Sequence, residues 1–73
     1  MSEILINLQG YGTAKLALDL IDGGDIEVWR GVFWNEDEEV LWEVYFEMEG
    51  DYEVWDLVNE ATHTYRKEAD DIQ

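Results

Sequence analysis

The sequence predicts a small α+β fold: an antiparallel sheet built on a central β-hairpin, with one or two helices on one face, in the order β-α-β-β-α. Three observations carry this. Ile26–Trp34 and Val40–Met48 are rich in β-branched and aromatic residues, alternate with period two and flank the polar loop Asn35–Glu39, which is the pattern of a hairpin. Beyond Gly50, the residues Tyr52, Trp55, Val58, Thr62 and Tyr65 recur at helical spacing. The chain has six glycines and no proline, and the glycines divide it into four or five elements. A chain of 73 residues is one domain, 1–73, and buries roughly 60% of its unfolded surface.

The elements follow in order. Glu3–Leu8 alternates, with Ile4, Ile6 and Leu8 on one side, and reads as a short strand blurred by Leu5. Thr13 is placed to N-cap a helix over Ala14–Ile21, whose Leu16, Ala17, Leu20 and Ile21 share a face and which Gly23–Gly24 would stop. Asp19 and Asp22 fit that helix badly, because its C-terminal dipole disfavours acids. The last helix is expected from about Asp51–Val54 to about Ala69, with Arg66 and Lys67 in its last turns. Tyr52–Val58 is also compatible with a strand start, since Val and Trp are strand formers.

The hairpin register has two readings. Val40, Trp42, Val44, Phe46 and Met48 form an apolar face, and Leu41, Glu43, Tyr45, Glu47 and Glu49 the opposite one. Pairing Trp34 with Val40 brings Ile26, Val28, Val32 and Trp34 to the apolar face together with Arg30. Pairing Phe33 with Val40 brings Trp29, Gly31 and Phe33 there and sets Arg30 opposite Glu43. A slip of one residue exchanges the faces. The first register is preferred. In either one, Trp42 and Phe46 lie on the face without acids and are expected in the core.

Charge narrows the function. Nineteen acids face four bases, Lys15, Arg30, Arg66 and Lys67, for a net charge of −15. Direct binding of nucleic acid or anionic lipid is opposed electrostatically. At 47% hydrophobic residues the chain is not of disordered composition. No apolar run approaches the roughly 20 residues of a membrane span, and Met1–Glu3 carries no basic targeting region, so a cytoplasmic protein without membrane association is expected. With no cysteine, disulfide staples are excluded.

Catalysis and cofactors find little support. His63, the one histidine, sits between threonines on a helix with no cysteine available, and Ser2 is the only serine. Glu60 and His63 have the Glu-x-x-His spacing of di-iron helices, but the second copy is missing. Asn35–Glu39 and Asp22–Asp25 are oxygen-rich without the spacing of a calcium loop. Gly10–Tyr11–Gly12 precedes the expected first helix but lacks the third glycine and the Lys-Ser/Thr of a phosphate loop, and reads as a turn. No enzyme, no metal and no cofactor are expected.

The acids themselves are the informative constellation. Glu36, Asp37, Glu38, Glu39, Glu43, Glu47, Glu49, Asp51, Glu53, Asp56 and Glu60 occupy one stretch that contains no Lys or Arg. On a strand, same-face neighbours two residues apart are about 6.6 Å apart. Glu47 and Glu49 have that spacing and Glu43 to Glu47 about twice it, comparable to successive phosphates along a nucleic-acid strand. Tyr45 lies among them, and aromatics are enriched at interfaces. A partner-binding surface of Glu36, Asp37, Glu38, Glu39, Glu43, Tyr45, Glu47, Glu49, Asp51 and Glu53 is expected, against the plainer alternative of an acidic surface for solubility or high salt.

In size, charge and aromatic content the whole chain resembles the small acidic phage inhibitors of host defence, the anti-CRISPR and anti-restriction proteins, many of which mimic DNA. The resemblance is one of type and rests on no motif. It implies an inhibitor in the host cytoplasm whose partner is a basic nucleic-acid-binding protein or complex of a defence nuclease. Two further classes fit the same charge: an antitoxin or immunity protein that plugs a nuclease, and an acidic structural or assembly protein.

Overall fold

The computed structural model describes residues 3–71. Four strands, β1 (Ile4–Leu8), β2 (Gly12–Gly23), β3 (Glu27–Trp34) and β4 (Val40–Met48), form an antiparallel meander in the order β1-β2-β3-β4. One helix, α1 (Val54–Asp71), packs on one face, mainly against β4. The order is therefore β-β-β-β-α, which corrects the expected β-α-β-β-α.

The segment expected as a helix, Ala14–Ile21, is the middle of β2. Its apolar residues satisfy both periods. Ala14, Leu16, Leu18 and Leu20 also alternate with Lys15, Ala17 and Asp19. A helix of about eight residues is marginal alone. As a strand the same segment is paired on both sides: β1 runs along it from Ile4↔Leu16 to Leu8↔Gly12, and β3 from Lys15↔Trp34 to Gly23↔Glu27. Gly10 and Gly12 make the β1–β2 turn at φ +93° and +85°, a region that side chains with a Cβ avoid. Asp19 is not a misplaced helix acid but the register partner of Arg30.

The hairpin β3–β4 resolves the register with a bulge. Trp34 pairs with Val40 as in the preferred reading, yet Phe33 pairs with Trp42, leaving Leu41 as an extra residue. Beyond it Gly31 faces Val44 and Trp29 faces Phe46. The face toward α1 thus carries Trp29, Gly31 and Phe33, correcting the assignment of Val28, Val32 and Trp34 to it. The bulge lets the tip keep the Trp34–Val40 pairing while the body of the hairpin shifts by one residue, so that its faces are those of the second reading but Arg30 stands opposite Tyr45 and not Glu43. Arg30 is thereby kept on the open face.

Leu8, Leu16, Phe33 and Val44 are fully buried, with Leu57, Val58, Ala61 and Tyr65 of α1 over them. Phe46 is buried as expected, and Trp42 is half-buried. Gly31 sets the closeness of helix and sheet. A Cβ there would stand 3.1 Å from Val44 Cγ2 and 3.4 Å from both Ala61 Cβ and Leu16 Cδ1. Polar clips fix the helix along its length. Trp29 Nε1 donates to Tyr52 Oη (3.0 Å), and Tyr52 donates to Glu27. Trp42 Nε1 donates to Glu68 Oε1 (2.9 Å), and Tyr65 Oη donates to the Gln9 carbonyl (2.6 Å). Asp56 caps the start by accepting the Glu53 N–H (2.8 Å), the return half of a capping box. The helix continues to Asp71, so its final turn holds Glu68, Asp70 and Asp71, and Arg66 and Lys67 stop short of it.

Candidate functional site

The meander divides the acids into two ends and a middle. The hairpin tip, next to the β1–β2 turn and the end of α1, carries Glu36, Asp37, Glu38 and Glu39, all exposed. This tip is a built turn. Asn35 Oδ1 accepts the N–H groups of Asp37 and Glu39 (both 2.9 Å), and the Asn35 N–H donates to the Glu39 carbonyl (3.0 Å). Glu38 sits at φ +63°, and the Glu39 carboxylate accepts from Asn35 Nδ2 (3.1 Å).

At the middle of β4, Glu43 and Tyr45 lie on the open face. Glu43 does not stand alone. Its Oε2 accepts from Arg30 Nη2 at 3.0 Å and its Oε1 accepts from Tyr45 Oη at 2.9 Å, while Arg30 Nη1 lies 3.9 Å from Asp19 Oδ2. The tyrosine hydroxyl first, and the guanidinium second, hold the Glu43 carboxyl below its ordinary pKa. Glu43 in turn raises Arg30 and Tyr45. Arg30 Nε is buried without a hydrogen-bond partner. The row of carboxylates expected along β4 is therefore neutralised at its first member, Glu43, by a base 13 residues away in sequence.

The opposite end gathers the rest. Glu47, Glu49, Asp51, Glu53 and Asp56 follow the second half of β4 into α1. The β2–β3 turn brings Asp22, Asp25 and Glu27 to the same end, since Gly23 pairs with Glu27 and Glu27 with Met48. Of these eight, Glu27 is half-buried under Tyr52, and the other seven are exposed. None of the four bases lies here: Lys15 pairs with Trp34 beside the tip, Arg30 is mid-sheet, and Arg66 and Lys67 are near the end of α1. Asp22, Asp25 and Glu27 lie outside the base-free acidic stretch of the sequence, more than 20 residues before Glu49. A signal was present in Asp22–Gly23–Gly24–Asp25, which is turn chemistry between two strands once β2 is read as one.

His63 is exposed on α1. Among the described residues no group of three or more His, Asp or Glu is placed to hold a metal ion. A cleft of about 250 Å³ at Glu3, Lys15, Trp34 and Glu38 is smaller than the roughly 300–1,000 Å³ of small-molecule sites. No helix among the described residues is long and apolar enough to cross a membrane. Comparison with protein-family models, with curated proteins and with solved structures gives no match.

Proposed function

We propose that the protein is an inhibitor that occupies the basic nucleic-acid-binding surface of a partner protein, its carboxylates taking the place of phosphates, as in phage inhibitors of defence nucleases. The observation that carries this reading is the end of the molecule where eight carboxylates from two separate segments meet without a single Lys or Arg. Acids placed only for solubility would be interspersed with the bases. The tip, with four acids on a hydrogen-bonded turn, supplies a second negative surface of defined shape. Charges presented on rigid elements bind with less ordering cost than those on a mobile tail.

The test is capture of a partner from a host lysate at low and high salt, followed by competition with that partner's own nucleic acid. Binding should weaken steeply with salt, and nucleic acid should displace the protein. A stable ternary complex of partner, protein and nucleic acid would overturn phosphate mimicry. Salt-insensitive capture would point instead to an assembly role.

A further inference from the structure

The end of the molecule that lacks bases also exposes large apolar side chains. Trp55 is 66% exposed, Val54 60%, Ile21 54%, Leu20 48% and Ile26 45%. They come from three segments, the end of β2, the turn into β3 and the first turn of α1. Two contacts bring these together: Leu20 pairs with Trp29, and Trp29 meets Tyr52 just before the helix. The core does not use them. Tyr52 and Trp29 close the sheet–helix seam from inside, and α1 lies mainly over β4, which leaves Leu20 uncovered on the helix side of β2.

Apolar groups ringed by charge are the anatomy of a protein interface, with large aromatics as its energetic anchors. The rim selects the occupant. A second copy of this chain would press eight carboxylates against eight, and nucleic acid or anionic lipid would meet the same repulsion. Phosphate mimicry alone requires no apolar anchor. We propose that this end is the docking surface, and that its occupant is a cationic amphipathic protein segment. Its apolar side chains seat on Trp55, Val54 and Ile26 while its Lys and Arg reach Asp22, Asp25, Glu49 and Asp51. The inference rests on the basic-partner reading above and adds the location and the apolar component.

Three synthetic probes separate the two. One is an amphipathic helix with a leucine stripe flanked by Lys and Arg, the second the same peptide with Gln for every base, and the third oligolysine of equal length. Binding is followed by amide and indole NMR shifts of the full chain. The first peptide should shift the amides of residues 20–27 and 47–56 and the Trp55 indole. It should bind at least about ten-fold more tightly than either of the others, the scale of one lost anchor. Trp55→Ala should lose about ten-fold and Val54→Ser less, whereas Glu36→Gln with Glu38→Gln at the tip should stay within about two-fold. An unchanged melting temperature is expected for Trp55→Ala. If that variant is destabilised, Val54→Ser carries the comparison. Equal binding by oligolysine, shifts confined to the tip or the open sheet face, or self-association through this end in high salt each overturn the docking proposal and leave the basic-partner reading standing. Absence of binding by both cationic probes at low salt overturns both.

Discussion

The Arg30 guanidinium donates to the Glu43 carboxylate at 3.0 Å across the open face of the sheet. Arg30 sits on β3 opposite Tyr45, whose hydroxyl donates to the other oxygen of the same carboxylate. The one base within the hairpin thus sits against the first of the two acids of β4. Glu36–Glu39 lie on one side of this network and Glu47–Asp56 on the other, toward the two ends of the molecule.

Glu43 should titrate below the ordinary glutamate range. Its folded pKa is lowered, so the network stabilises the fold above the unfolded value, and this contribution is lost as pH falls through the folded one. Tyr45→Phe and Arg30→Met should each move the titration upward. Side-chain carboxyl NMR shifts measure it, and a Glu43 titration unaffected by both substitutions would dissolve the network.

Gly31→Ala should destabilise the protein. The added methyl group meets Val44, which is fully buried and stiff at χ1, and it pushes on Ala61 of the helix. Overpacking of this kind costs about 1–3 kcal/mol. Urea unfolding reads the change, and a midpoint equal to or above that of the parent would mean that the helix and Val44 leave room for a methyl group at Gly31.

Trp42→Ala should cost about 3 kcal/mol or more, because it removes a large half-buried side chain, an edge-to-face contact with Tyr65 at 5.4 Å and the donor to Glu68. Trp42→Phe keeps the packing and loses the donor, and should fall between. If Trp42→Ala melts within a few degrees of the parent, the packing of α1 on β4 is wrong.

Added salt should raise the melting temperature. The net charge of −15 outweighs two ion pairs on one arginine, so screening removes more repulsion than attraction. A melting temperature that falls with salt would show that the Arg30 pairs dominate.

Partner binding should respond to Glu47→Lys with Glu49→Lys more cleanly than to any change at Glu43. Both residues are exposed at the end without bases, and neither carries an ion pair to lose. The double variant should keep its melting temperature and lose binding. Glu43→Lys should unsettle the fold itself by setting two cations side by side. Loss of stability in the double variant, or full retention of binding, would remove these two acids from the site.

The sequence by itself determined what local chemistry dictates. Alternation with β-branched and aromatic residues, and a polar loop between, specify Glu27–Trp34 and Val40–Met48 as a hairpin, and helical spacing after Gly50 specifies α1. It also showed that the charge is one-signed. Only the tertiary structure decided β2. Ala14–Ile21 satisfies both periods, and pairing with strands on either side settles the choice. The faces of β3 likewise hang on one bulged residue, Leu41, which shifts the pairing by one place and exchanges the faces. The site followed the same division. The tip acids were legible because they are contiguous. The meeting of Asp22, Asp25 and Glu27 with Glu47–Asp56 was not, and neither was the capture of Glu43 by Arg30. Both depend on which strands become neighbours, a relation set by burying Leu16, Phe33 and Val44 beneath the helix rather than by any local run of residues.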